Sequence, residues 1–144
     1  MLAFVLRDEQ VFDPRKHVEK ILGCEGAGDF TVACWEPGQV SPFHCHPNAT
    51  EIYFCMEGGG VMRTPEGTVV VRPSGFVVHP RGELHEYENG PHRTLLFRVR
   101  YGEDMSVRHI GWRGHPESVP DEASVAYFAQ HPPGVTFDPD GPAT

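Results

Sequence analysis

The sequence predicts an all-β domain whose strands close on one another as a sandwich or barrel. First, 16 glycines and 14 prolines divide the 144 residues into short pieces. Second, these pieces are rich in Val, Phe, Tyr and Thr with roughly alternating polarity, which is the pattern of half-buried strands. Third, the pieces follow one another at near-regular spacing. A chain of this length forms one domain and can fold without a disulfide or a metal.

Turn-forming residues mark where the strands begin and end. Examples are Pro37-Gly38, Gly58-Gly59-Gly60 and Asn89-Gly90-Pro91. The strands predicted between such turns cover residues 30–35, 40–46, 51–56, 61–64, 68–72, 76–79, 84–87 and 94–101.

The N-terminal residues are expected to hold one strand and one short helix. Residues 3–6 suit an edge strand. Residues 15–22 suit a helix because Asp13 can cap it, Pro14 fits its first position and Gly23 can end it in the left-handed conformation.

The C-terminal residues differ in composition, because prolines and acidic residues dominate after residue 102. One helix is predicted over residues 121–130, ended by Pro132 and Pro133. We therefore expect one domain in three parts, which are an N-terminal strand and helix (1–27), a barrel (28–101) and an irregular C-terminal extension (102–144) packed on the barrel or on a partner subunit.

Charge and hydropathy exclude two classes of partner. Lys and Arg number 12 against 20 Asp and Glu, a net charge of -8, so the surface is unsuited to nucleic acid. The longest apolar stretches fall far short of the ~20 residues that a membrane span needs, and the first one is too short for a secretory signal. The four cysteines form no C-x-x-C pair, so we expect buried thiols in a cytoplasmic protein.

Two imidazoles are predicted to share one face of a strand. His44 and His46 are separated by one residue, so both point to the same face while Cys45 points to the other. Two candidate metal ligands thus converge without the help of a loop.

Two further donors can join them. Glu51 has the wrong parity for an unbroken strand, but Pro47 and Asn48 interrupt the strand and reset its phase. His85 follows a Pro-Arg-Gly turn and can reach the same point from across a barrel. Three imidazoles and one carboxylate suit one divalent transition metal rather than calcium or magnesium. The predicted metal ligands are therefore His44, His46, Glu51 and His85.

These residues resemble the two motifs of the cupin superfamily. The first motif, G-x5-H-x-H-x4-E-x6-G, is matched by Gly38, His44, His46, Glu51 and Gly58, and the second, P-x-G-x2-H-x3-N, by Pro80, Gly82, His85 and Asn89. The glycine that normally opens the second motif is displaced, since Ser74 occupies its usual position and Gly75 stands one residue closer to Pro80. The resemblance implies a double-stranded β-helix, or jelly roll, with a metal inside the barrel mouth.

Candidate pocket residues follow from strand parity. Tyr53 and Cys55 share the parity of Glu51, and Tyr87 shares that of His85. His79 precedes the turn at Pro80 and can sit at the rim of the cavity, although this position favours a surface or capping role. We assign Tyr53, Tyr87 and His79 to substrate orientation, with simple packing or a surface role as the alternative for each, and Cys55 to packing rather than ligation.

The last predicted strand offers two arrangements. In the favoured one, Leu95, Phe97 and Val99 fill the interior, so that Arg98 and Arg100 face outward. In the other, Arg98 points inward and holds a substrate carboxylate. The orientation of Arg63 stays open.

Three alternatives remain for function, and the cupin resemblance implies the first of them. The first is an enzyme acting on a small organic molecule in a non-haem iron dioxygenase-type reaction, with Mn, Ni and Zn as other candidate metals. The second is an isomerase, cyclase or lyase that uses the metal as a Lewis acid. The third is a non-catalytic module that binds a small molecule or senses a metal.

A homodimer is also expected. Small jelly rolls commonly pair through one outer sheet face, and four apolar residues have the outward parity of their strands. These residues are Cys45, Ile52, Phe54 and Met56.

Overall fold

The structure, a computed structural model, describes residues 1–141. Its elements in chain order are a 3-10 helix at Leu6–Glu9, then β1 Val18–Glu25, β2 Gly28–Trp35, β3 Phe43–Cys45, β4 Ala49–Glu57, β5 Gly60–Thr64, β6 Gly67–Val71, β7 Phe76–His79, β8 Glu86–Asn89, β9 Thr94–Gly102 and β10 Arg108–Gly111, and finally helix α1 Glu122–Gln130. Each of the strands predicted between residues 30 and 101 overlaps one of these strands.

The strands form a mostly β jelly roll, as the sequence predicts. One sheet has five strands in the order β1-β2-β9-β4-β7, and a second has three in the order β6-β5-β8. Strands β3 and β10 form a separate pair. Two isolated bridges, Val40 with Glu88 and His44 with His85, tie the chain around β3 to the chain around β8.

Two groups of apolar side chains lie on opposite faces of β2. Ala33 and Trp35 belong to the cluster inside the barrel, whereas Val32 and Cys34 face the other way because side chains alternate along a strand. The N-terminal segment covers this outer group with Leu6, Phe12 and Leu22. Both faces of the central strands are therefore buried at this end of the sheet.

The helix predicted over residues 15–22 is wrong, because this part of the chain enters strand β1. β1 pairs antiparallel with β2, with a bulge between Ile21 and Gly23. Asp13 accepts a hydrogen bond from the backbone N–H of Arg15 at 2.8 Å, so it closes a turn rather than capping a helix. The strand predicted at residues 3–6 is also absent, and the described chain there leads into a 3-10 helix.

The C-terminal extension packs on the barrel of its own chain. Helix α1 begins after Asp121, whose carboxylate accepts from the Ser124 backbone N–H at 2.7 Å, close to where the sequence places it. Strand β10, which the sequence analysis missed, pairs with β3. The Trp112 Nε1–H donates to the carbonyl of Val40 at 2.6 Å, which fastens the extension to the mouth of the barrel.

Cys45 is not part of an outward apolar face. Its side chain is fully buried and its thiol contacts Tyr127 of helix α1. Burial raises the pKa of Cys45 to about 11, so the thiol stays protonated and unreactive at neutral pH. Of the other three outward residues, Ile52 and Phe54 are half-buried and Met56 is exposed.

Among residues 1–141, the only α-helix has nine residues, and no helix is both long and apolar enough to cross a membrane.

Candidate metal centre

Three of the four predicted ligands, His44, Glu51 and His85, bring their donor atoms together inside the barrel, and the fourth, His46, lies beside Glu51. Glu51 lies between two imidazoles, with its Oε1 3.2 Å from His46 Nε2 and its Oε2 3.1 Å from His85 Nε2. The donor atoms of His44, Glu51 and His85 all lie within 4.8 Å of one another. His44 and His85 also exchange backbone hydrogen bonds of 2.9 and 2.8 Å, which fixes β3 against the turn before β8.

Each imidazole is oriented by a backbone carbonyl. Nδ1 of His44 lies 2.8 Å from the carbonyl oxygen of Pro42. Nδ1 of His46 lies 3.1 Å from the carbonyl oxygen of Ser106, and Nδ1 of His85 lies 2.9 Å from that of Glu83. An Nδ1–H that donates to a carbonyl leaves the Nε2 lone pair free, which is the usual arrangement of a metal-binding histidine. The sequence could not indicate these three carbonyls.

His44 and Glu51 are held in the protonation states that a cation requires. Burial and the neighbouring His85 lower the pKa of His44 well below its ordinary value, so its imidazole is neutral. Burial alone would raise the pKa of Glu51. The imidazoles of His46 and His85 have the larger, opposite effect and hold this pKa well below the ordinary value. A neutral imidazole and an ionised carboxylate are the metal-binding forms.

The donor atoms fit a metal ion for a second reason. Both carboxylate oxygens of Glu51 and the Nε2 of His85 are buried and have no hydrogen-bond partner among the described residues. Buried acceptors without a donor are costly. A divalent cation at the common point would satisfy all three atoms, and three imidazoles with one carboxylate leave open coordination positions for a substrate.

His79 lies inside the barrel, so the predicted places at the rim and on the surface are both wrong. It pairs with Glu51 across β4 and β7, which turns its side chain inward, and it is 2 % exposed. Its ring stacks on that of His85 at 3.8 Å and 6°. Its Nδ1 lies 2.6 Å from a carboxylate oxygen of Glu83. His79 therefore supports the His85 ring from behind.

The two tyrosines assigned to the pocket are both buried and line its wall. Burial and the nearby Glu51 raise the pKa of Tyr53 well above its ordinary value, so its hydroxyl stays protonated. The Tyr87 hydroxyl donates to Asn89 Oδ1 at 3.0 Å, which commits it to the wall. Cys55 is buried in the inner apolar cluster. Direct contact of either tyrosine with a substrate stays a prediction.

Arg98 and Arg100 face the interior, contrary to the favoured arrangement. The register of β4 against β9 pairs Tyr53 with Arg98 and Glu51 with Arg100, and cross-strand partners share a face. Carboxylates compensate the charge of both guanidiniums. Arg100 donates two hydrogen bonds to Asp29, at 2.9 and 3.1 Å. The sequence signal for inward arginines was the pair of polar residues Asp29 and Thr31, which have inward parity on β2.

Arg98 is the more deeply buried of these two residues, at 2 % exposure. Its guanidinium contacts Glu19 at 2.7 Å and Thr31 at 3.1 Å, and lies 3.5 Å from Asp29 and 3.7 Å from Glu51. It therefore stands directly beside the candidate metal ligands. Arg63 lies outside the lining of this cavity.

A cavity of about 490 Å³ connects the candidate metal centre with the surface. Its mouth is bounded by the exposed residues Lys16 and Val107. The wall includes an aromatic group that the sequence analysis missed, in which His17 stacks on Trp35 at 4.0 Å and 7°, and Trp112 meets His17 edge-on. This volume suits a small organic ligand.

Comparisons with known proteins agree with this architecture. A sequence profile of the cupin domain matches residues 31–97, a range that includes both histidine motifs. A comparison with curated proteins finds no match.

Solved structures share the fold at low identity. An uncharacterized conserved protein with a double-stranded beta-helix domain from Klebsiella pneumoniae subsp. pneumoniae is 15 % identical with a TM-score of 0.69, over 74 % of this chain and 89 % of that one. DMSP lyase DddQ from Ruegeria pomeroyi DSS-3 is 22 % identical with a TM-score of 0.60, over 72 % and 54 %. A recombinant oxalate oxidase in complex with glycolate is 22 % identical with a TM-score of 0.56, over 68 % and 57 %.

The match thus spans little more than half the length of these two enzymes, and at such identity it establishes the fold. The profile covers the motifs that hold the histidines, and the solved structures share the jelly roll around them, so residues 31–97 are similar to the cupin domain and the chain has the cupin fold.

Proposed function

We propose that this chain is a metal-dependent enzyme that acts on a small organic molecule in a non-haem iron dioxygenase-type reaction. The observation that carries the proposal is the group of buried acceptor atoms on Glu51 and His85 without a donor, at the inner end of an open cavity. His44, His46, Glu51 and His85 would hold the metal. When bound, the metal would supply Lewis acidity and, as iron, electron transfer to dioxygen.

The residues of the chain contribute positioning and exclusion of water. Three carbonyls fix the imidazole rings, and His79 packs against His85. The Tyr53 hydroxyl stays protonated and can donate a hydrogen bond to a substrate oxygen, which orients the substrate. The aromatic wall formed by Trp35 and Tyr87 keeps bulk water away from the inner end of the cavity.

A second candidate reaction uses the metal only as a Lewis acid, as in an isomerase, cyclase or lyase. Its support is the likeness to DMSP lyase, which has a TM-score of 0.60. The two reactions differ in whether dioxygen is consumed.

Metal loading tests the proposal directly. The purified chain is incubated without oxygen with Fe²⁺, Mn²⁺, Ni²⁺ or Zn²⁺, dialysed, and analysed for bound metal. We expect one metal per chain in the wild type and a loss of affinity of about 100-fold in Glu51→Gln, because one charged ligand is removed. His131→Gln, at the exposed end of α1, is the matched control and should retain the metal.

A substrate screen with an oxygen electrode then separates the two reactions. Turnover with oxygen uptake supports the dioxygenase, and turnover without oxygen uptake supports the Lewis-acid reaction. Wild-type protein that binds no metal in stoichiometric amount contradicts both.

A further inference from the structure

We infer that the substrate of this site carries a carboxylate, and that Arg98 binds this carboxylate after Glu19 has moved away. The inference rests on the proposed function, since it places the substrate in the same cavity. It specifies the substrate class, names Arg98 as a residue that binds the substrate, and identifies Glu19 as the internal partner that the substrate replaces.

Arg98 is built as an anion-binding group beside the metal centre. It lines the cavity, is 2 % exposed, and its Nη1 lies 3.7 Å from Glu51 Oε1. Its Nε–H is buried without an acceptor among the described residues. A buried donor without a partner is costly. A substrate oxygen arriving at the metal would lie within reach of this guanidinium.

Glu19 binds the Arg98 guanidinium on its solvent side. It lies on the edge strand β1 and lines the cavity, with its Oε1 2.7 Å from Arg98 Nη1. Its side chain is 36 % exposed, in contrast to Asp29, which is almost fully buried. An exposed carboxylate regains its hydration when it leaves an ion pair. Glu19 is therefore the partner that a substrate carboxylate can replace at low cost.

The charges around the inner end of the cavity favour an anion. Two guanidiniums, Arg98 and Arg100, and a divalent metal outweigh the carboxylates of Glu19, Asp29 and Glu51 by one positive charge. Buried charge is stable only when it is paired. A carboxylate that takes the place of Glu19 keeps this balance, whereas an amine or another cation would be repelled.

Ligand binding tests the inference through the two tryptophans of the chain. Both Trp35 and Trp112 line the cavity, so intrinsic fluorescence reports its occupation. Zinc-loaded protein is titrated with benzoate and with benzamide, its neutral isostere, and with acetate and acetamide as a smaller pair. We expect the carboxylate of at least one pair to bind about tenfold or more tightly than its amide.

Two variants give effects of opposite sign. Glu19→Gln removes the competing carboxylate, so the affinity for the preferred carboxylate should rise about three- to tenfold while that for the amide stays constant. Arg98→Lys removes the planar donor set, so the same affinity should fall about tenfold or more. Glu25→Gln, an exposed change on the same strand, is the control and should alter neither. If Arg98→Lys does not fold, the rise in Glu19→Gln still decides.

The outcomes separate this inference from the proposed function. Zinc-loaded wild type that prefers no carboxylate in either pair, or a Glu19→Gln variant that binds the carboxylate no better, overturns the inference and leaves the metal enzyme in place. Protein that takes up no zinc in the same preparation overturns the proposed function.

Discussion

Ser74 has a backbone conformation that normally belongs to glycine. Its φ is 69°, and it is the only non-glycine residue with positive φ among residues 1–141. It stands where the second cupin motif usually has its first glycine. The turn still closes, since the Ser74 N–H donates to the Cys55 carbonyl and the Gly75 N–H to the Arg72 carbonyl, both at 2.9 Å. The displaced glycine thus costs strain in a turn and leaves the metal ligands unaffected.

The expected consequence is that Ser74→Gly stabilises the protein. A left-handed conformation costs a residue with a Cβ about 1–2 kcal/mol, and the greater freedom of glycine in the unfolded chain offsets part of the gain. We expect the free energy of unfolding to rise by about 0.5–1 kcal/mol in urea titrations. Ser118→Gly, at a residue without positive φ, should lower it slightly. A Ser74→Gly variant less stable than wild type would refute the strain.

His17 couples the stability of the fold to pH. Burial, partly opposed by Glu19, lowers its pKa from 6.5 to about 4. Below pH 6.5 the unfolded chain takes up a proton that the folded chain does not bind, so stability falls as the pH is lowered towards about 4. Above pH 6.5 this contribution is constant.

The measurement is urea unfolding of metal-free protein at several pH values. Between pH 7 and pH 4.5 the wild type should lose about 2 kcal/mol through His17. His17→Gln should show a shallower decrease over this range, whereas the exposed change His131→Gln should leave the decrease as it is. Equal slopes for His17→Gln and wild type would show that folding does not lower the pKa of His17.

At the scale of the element, strand parity succeeded on β4, where the candidate ligand Glu51 indicated which face points inward. On β4 it placed Glu51, Tyr53 and Cys55 inside, as the structure does. On β9 it failed, because the rule that apolar residues face inward assumes an apolar interior. Here the interior is a polar cavity, and the N-terminal segment covers the outer apolar residues such as Leu95.

The N-terminal strand shows the same limit for local signals. Asp13, Pro14 and Gly23 are good helix markers, but pairing with β2 at seven residues of β1 outweighs them. Such pairing depends on residues distant in sequence, as do the carbonyl partners of the histidines. The grouping of His44, Glu51 and His85 was predictable because these residues lie within short motifs, whereas Arg98 and Glu19 came together only through the sheet.

Strand β10 and the tail after α1 give a prediction at this scale. A Cβ at Gly111 would overlap the Phe137 ring, so Gly111→Ala should displace the tail and destabilise the protein by about 1–3 kcal/mol. Limited proteolysis should cut earlier between residues 131 and 138. Gly67→Ala, where a Cβ meets no atom, should leave the digestion pattern unchanged. Unaltered cleavage in Gly111→Ala would show that the tail is not held by Phe137.

At the scale of the whole molecule, the two faces of the five-stranded sheet differ in how they are covered. The inner face lines the cavity, and the N-terminal segment covers the β1 side of the outer face. The β7 side of the outer face is apolar and open, with Phe76 67 % exposed and Val78 45 % exposed. They adjoin Ile52 and Phe54 through the pairing of β4 with β7. Contiguous exposed apolar surface of this kind is typical of an interface.

We expect this face to pair with a second copy of the chain, because a two-fold axis lets one apolar patch cover its own image. Sedimentation velocity at micromolar concentration should give a dimer for wild type and a monomer for Phe76→Asp, since a carboxylate buried in an apolar interface lacks a partner. Val70→Asp, at an equally exposed residue on the edge strand β6 of the other sheet, should remain dimeric. A monomeric wild type would rule out the pairing, and a dimer that persists in Phe76→Asp would place the interface elsewhere.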